Sequence, residues 1–185
     1  MASLPNPQTV TYEEWLRMPE VTDAIEEVVD GEILIMPPNK WNHALIAQHI
    51  CNAFCSQTDS RKVLVLAAVF GLVIRKAPLT SRVPDVAVFL KSTIVEQDGY
   101  VHSAPQLVVE VLSPGNTRRE RERKLADYAS LGVPEMWVVS PEARTVEVLY
   151  LESGFLRSAQ VLSQGVLEPR QFPCVQIQIA GIWPD

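Results

Sequence analysis

The stretches "VPDVAVFL" (residues 83–90) and "LVVEVLS" (residues 107–113) decide how this chain is read. Both are short, rich in β-branched residues and apolar at odd and even positions alike. That pattern suits strands covered on both faces. Each nevertheless carries a carboxylate: Asp85 follows Pro84, and Glu110 sits between Val109 and Val111. A carboxylate in a buried strand is costly unless it is paired, hydrogen-bonded or bound to a metal. Taken singly, each has a plain account: Asp85 as a turn cap at a strand end, Glu110 as a strand-edge acid paired with a lysine or arginine. The two stretches are close in sequence and are expected to be neighbours in one sheet, so both acids can project into one cleft. Two converging carboxylates are what a hard cation such as Mg²⁺ needs, the rest of its shell being water.

Working outward, "PGNTRRERERKLADYASLGVPEMW" (114–137) predicts a helix. Asn116 or Thr117 caps its start, Gly132 ends it, and Pro134 prevents continuation. "EMWVVS" (135–140) and "TVEVLYL" (145–151) follow as a strand pair, and residues 154–185 read as short strands and loops. Residues 91–106 are polar and are expected to be a mobile loop. Toward the N-terminus, "VLVLAAVFGLVIR" (63–75) predicts two strands, or one strand bent near Gly71. From about Asn39 to Thr58, Ala44, Ile46, Ala47, Ile50, Cys51 and Phe54 recur at helical spacing. Asp30-Gly31 between two apolar-rich runs signals a tight hairpin. Thr11 and Glu14 have capping-box spacing for a short helix, and residues 1–10 are expected to be a flexible arm. The whole chain, 1–185, is expected to be a single α/β domain of α+β character, without repeats.

The bulk numbers narrow the function. At 185 residues, 47% apolar and 21% charged, the chain matches an ordinary globular protein able to bury a core. No apolar run reaches membrane-span length and no secretory signal opens the chain, so the expected compartment is the cytoplasm, with no membrane partner. The net charge of −6 argues against a protein that grips nucleic acid through many phosphates. Cys51, Cys55 and Cys174 make no disulfide framework; packing is their simplest role.

Further partners for a cation come from two places. In "IEEVVDG", alternation sets Ile25, Glu27 and Val29 on one face and Glu26, Val28 and Asp30 on the other, so only one of the two glutamates faces inward. Glu32 is a weaker candidate. On the helix after Glu110, the residues Glu120, Lys124 and Tyr128 are spaced i, i+4, i+8 and share one face. The alternative is that "TRRERERK" is a solvated, ion-paired surface.

In order, "EEVVDGEILIMPP", "NHALIAQHI", "VPDVAVF" and "PQLVVEVLSPGNTRRERERKLADYASLGVPEMWVV" resemble the Uma-two family of restriction-endonuclease-like proteins, within the PD-(D/E)xK nuclease superfamily. The likeness spans about residues 24–183. It implies a restriction-endonuclease-like core: a central mixed sheet flanked by helices, with an N-terminal hairpin and extra C-terminal strands. It implies a metal site in which Pro84-Asp85 takes the PD role, Glu110 the second acid, and Glu27 the early acid that often joins them. His43 falls where the family commonly has a histidine opening the first long helix. One departure stands out: the standard lysine lies two residues after the acid, and here that residue is Leu112. The family relocates this lysine to the following helix, which points to Lys124, with Glu120 as the acid shortly before it. His49 and His102 have no such support, and Tyr128 and Trp137 are most simply core or cleft-wall aromatics.

The expected activity is hydrolysis of phosphodiester bonds, in DNA, with Mg²⁺ or Mn²⁺ held by Asp85, Glu110 and Glu27 and with Lys124 catalytic. A homodimer is expected, since cutting two strands calls for two sites. The alternatives are a non-catalytic binding or regulatory module on the same fold, and a hydrolase for another phosphate ester.

Overall fold

The computed structural model describes residues 9–67, 70–115 and 117–184. The arm expected over 1–10 therefore lies outside the described residues up to residue 8. Val10 is tied down, its N–H donating to the Gly31 carbonyl at 2.8 Å. Asn116, one of the two expected caps, is also outside.

A short helix, α1 (Tyr12–Trp15), opens the described chain with the capping box of Thr11 and Glu14 complete. Strands β1 (Ile25–Val29) and β2 (Glu32–Met36) follow as an antiparallel hairpin. Its turn residues, Asp30 and Gly31, have φ of 53° and 84°, the left-handed pair that a two-residue hairpin turn requires. Helix α2 (Trp41–Gln57) comes next. After it lie β3 (Val63–Ala67), β4 (Leu72–Lys76), β5 (Leu79–Arg82), β6 (Val86–Leu90), β7 (Glu96–Gln97), β8 (Tyr100–Val101) and β9 (Leu107–Val111). Helix α3 (Arg118–Leu131) starts at Thr117, whose side chain caps Glu120 N, and stops at a left-handed Gly132. The chain closes with β10 (Glu135–Ser140), β11 (Thr145–Glu152), β12 (Phe155–Leu162), β13 (Val166–Leu167) and β14 (Ile177–Gln178).

The fold is mixed α+β, as expected, but it carries two large sheets where the sequence suggested one. The central six-stranded sheet runs β12-β11-β10-β9-β6-β3, and a second six-stranded sheet runs β2-β1-β5-β4-β8-β7. The apolar run 63–75 is where the chain changes sheet: β3 pairs with β6 in the first, β4 with β5 in the second. Both sheets are mixed, with β9 and β10 parallel in one and β4 and β8 in the other. The α3 crossover is what lets β9 and β10 run parallel. Residues 91–106 are not a plain loop, because β7 and β8 form a small hairpin inside them. The C-terminal region likewise holds one long strand, β12, beside β11.

The central sheet is covered on both faces, which explains its two-sided apolar strands. Val86, Val88, Val109 and Val111 pack with Ile46, Ile50 and Phe54 of α2. Ala87, Phe89 and Val108 pack with Tyr128 and Ala129 of α3. Strands β6 and β9 are antiparallel neighbours, in the register Val86 opposite Val109 and Ala87 opposite Val108. No helix among the described residues is long and apolar enough to cross a membrane.

Candidate active site

The site forms where β6 runs out. Asp85 immediately precedes β6, and its Oδ2 accepts the Val111 N–H at 2.7 Å. The carboxylate thus completes the ladder where the partner strand has ended. Its other oxygen, Oδ1, is 2.7 Å from His43 Nε2 on α2 and accepts from Asn39 Nδ2 at 3.3 Å. His43 Nδ1 lies 3.3 Å from Ser113 Oγ, so the imidazole bridges the acid and the segment after β9.

Glu110 enters from β9 on the α3 side. Lys124 Nζ donates to its Oε2 at 2.6 Å, and Tyr128 OH donates to its Oε1 at 2.5 Å. Lys124 also reaches Glu27 Oε1 at 3.4 Å. The i, i+4 spacing of Lys124 and Tyr128 on α3 is what brings both onto one carboxylate. Burial raises the Glu110 carboxyl to about 7; Lys124 opposes this, while Asp85 and Glu27 push it further up. For Lys124, burial favours the neutral amine, but Glu110 and Glu27 outweigh it and hold the ammonium charged.

Behind the cleft lies a buried ion network that the sequence did not reveal. Arg82 is 1% exposed. Its Nη1 donates to Glu27 Oε2 at 2.7 Å, and its Nε and Nη2 donate to Asp127 Oδ2 at 2.9 and 2.7 Å. Glu27 Oε1 also accepts the Val83 N–H at 3.2 Å. Arg75 extends the network by joining Asp127 at 3.1 Å to Asp30 at 2.5 Å. The available signal for Arg82 was a charge directly ahead of Val83-Pro84 in an otherwise buried run. Asp127 had none, because it lies in a helix dense with charge.

These side chains bound one cavity of about 470 Å³, lined by Glu27, His43, Asp85, Glu110, Glu120 and Lys124. Of the sequence-derived candidates, those six line the cleft, and Tyr128 is buried beneath it on Glu110. Glu26 faces away from it and accepts from Trp15 Nε1 at 2.7 Å, as strand alternation requires. Glu32 is exposed on β2. Cys51 is buried on α2, while Cys55 and Cys174 are exposed, and all three are free thiols. Leu112, in the standard lysine position, packs against the α3-side core.

Among the described residues, no three His, Cys, Asp or Glu side chains form a ready-made metal cage. The donor set still fits a hard cation. Asp85 and Glu110 offer carboxylate oxygens to one cavity, and Mg²⁺ takes one or two carboxylates and keeps several waters. Glu27 is less available, being 1% exposed against 7% for each of the other two and held by Arg82.

A mixed sheet whose strand ends carry two acids, with a lysine returning from the next helix, places the molecule among the nuclease-like folds. The model of the Uma2 family, described as "Putative restriction endonuclease", matches residues 12–180, and the chain belongs to that family. The fold is similar to a solved structure described as a "putative nuclease belonging to DUF820 from Anabaena variabilis". The TM-score is 0.76 at 21% identity, covering 94% of this chain and 97% of that one. A search of curated proteins finds no match.

Proposed function

We propose that this protein is a metal-dependent endonuclease that hydrolyses phosphodiester bonds in DNA. The observation that carries the reading is Lys124 resting on Glu110 in the cleft that Asp85 also lines. This is an acid–acid–lysine set assembled from two adjacent strands and a helix.

Asp85 and Glu110 are the residues that would hold Mg²⁺ or Mn²⁺. Such an ion polarises a phosphate oxygen and lowers the pKa of a water molecule. Lys124 supplies a fixed positive charge where negative charge develops on the phosphate. Glu27, itself anchored by Arg82, holds Lys124 in the cleft from below. Tyr128 fixes the orientation of Glu110, and His43 with Asn39 fixes that of Asp85. Glu120 lines the cleft beside Lys124. Concentrating positive charge at the metal and Lys124 lets a protein of net charge −6 act on a polyanion.

The test is cleavage of DNA by purified wild type and Asp85→Ala with Mg²⁺ or Mn²⁺. Wild type cuts and the variant does not. Equal cutting by the two proteins removes Asp85 from the site. No cutting by wild type, with DNA binding retained, favours the non-catalytic binding module.

A further inference from the structure

Trp41 is the most exposed large apolar side chain among the described residues, at 75%. The fold uses the other tryptophans. Trp15 Nε1 donates to Glu26, Trp137 Nε1 donates to Glu135, and the Trp183 ring lies under Arg144. Among the described residues no hydrogen bond or ring contact engages Trp41. An indole left in water contributes nothing to the core, and it offers a flat π surface to a ligand.

Its position gives that surface a context. Trp41 is the first residue of α2, between Lys40 and His43, which both line the cleft. Lys40 lines the cleft together with Ser113, Pro114 and Gly115 of the segment after β9. Next along the chain, Arg118 and Arg119 are exposed at the start of α3, Arg118 paired with Glu122 at 2.8 Å. Lys40 and Arg119 thus bring basic groups near the cleft, whereas the acids within it, Asp85 and Glu110, are each only 7% exposed. A phosphate backbone is drawn to such basic groups, and the reacting phosphate must descend from them toward the acids.

We infer that the cleft takes an unpaired DNA strand, with one base stacked on Trp41 and flanking phosphates on Lys40 and Arg119. This deepens the nuclease reading and rests on it. The cavity, about 470 Å³, is of the size that holds a single small-molecule-sized group, enough for one nucleotide. Base faces in a duplex are already stacked, whereas an unpaired base has one free for an indole. Only a few basic groups flank the cleft, so little affinity is available from contacts along a duplex backbone.

The experiment uses the full chain with Ca²⁺ in place of Mg²⁺, a fluorescently labelled oligo-dT and a hairpin duplex of equal length. Anisotropy gives each affinity, and intrinsic tryptophan emission reports stacking. Wild type should bind the single strand about tenfold or more tightly than the duplex, with quenched emission. Trp41→Ala should lose about tenfold or more in single-strand affinity and lose the quenching. Trp41→Phe should recover most of the affinity, and both variants should melt like wild type because the side chain is exposed. Equal affinity for duplex, or unchanged binding by Trp41→Ala, overturns the inference and leaves the nuclease reading standing. Absence of binding to either DNA overturns both.

Discussion

Lys124 Nζ and Glu110 Oε2 lie 2.6 Å apart although the residues are 14 positions apart, one on helix α3 and the other on strand β9. The strand position that would place a lysine beside the acid holds Leu112, which belongs to the apolar core. The helix returns the missing charge to the same carboxylate. Replacing Lys124 by Met should therefore abolish DNA cleavage, and it should also reveal how the pair is balanced. Without the ammonium, Glu110 keeps its burial and its two acidic neighbours and loses its counter-charge. At pH 8 the variant should be destabilised by about 3–5 kcal/mol, the usual cost of orphaning a buried charge. At pH 5 Glu110 is protonated and the loss should shrink to about 1–2 kcal/mol. Urea unfolding at the two pH values, without divalent ions, checks this.

The sign of the Glu110 shift makes a second prediction. Its carboxyl moves from an ordinary value of 4.5 to about 7 on folding. Between those values the folded state holds a proton that the unfolded chain has released. A stabilising contribution is thus fully present below about pH 4.5 and is lost as pH rises through 7. Relative to Glu110→Gln, wild type should lose up to about 3 kcal/mol of stability from pH 4 to pH 8. Melting curves of the two metal-free proteins across that range measure it. A difference that does not vary with pH would mean that Glu110 titrates alike in the folded and unfolded chains.

How much of this was legible in the sequence depended on whether each residue broke its local pattern. Asp85 and Glu110 could be found because a carboxylate is conspicuous in an apolar strand, and the β6–β9 pairing followed from the nearness of the two runs. Lys124 and Glu120 sit among arginines and glutamates, where spacing alone could not separate a cleft face from a solvated one; family resemblance singled them out. Arg82 and Asp127 were missed because their partners are distant in sequence: Arg82 Nη1 meets Glu27 across 55 positions. The second sheet was missed for a similar reason. Nothing within 63–75 records that β3 and β4 pair with different strands, since pairing is fixed by long-range contacts.

The three thiols should separate cleanly. Burial pushes the Cys51 thiol up to about 12, with a smaller contribution from Cys55, so it is neither accessible nor ionised at neutral pH. Cys55 and Cys174 are exposed. A chromogenic disulfide reagent at pH 8 should modify two cysteines rapidly in the native protein and the third only on unfolding. Mass spectrometry after a short pulse of alkylation should find Cys51 unmodified.

The buried network behind the cleft ties stability to activity through Arg82. Its guanidinium is held charged because Glu27 and Asp127 outweigh the burial that would otherwise neutralise it. Arg82→Met leaves both carboxylates buried without their shared counter-charge and should cost about 3–5 kcal/mol. Arg82→Lys should recover only part of this, since a single ammonium cannot reproduce a guanidinium fork that serves two acids. The triple replacement Glu27→Met, Arg82→Met, Asp127→Met should regain much of the stability, because a well-packed apolar set can substitute for a buried ionic one. It should not regain cleavage, because the proposed role of Glu27 is to hold Lys124 at the floor of the cleft. Urea unfolding and DNA cleavage measured on the same preparations separate the two effects. A stable triple variant that still cuts DNA would show that Lys124 keeps its place without Glu27, and the network would then serve folding alone.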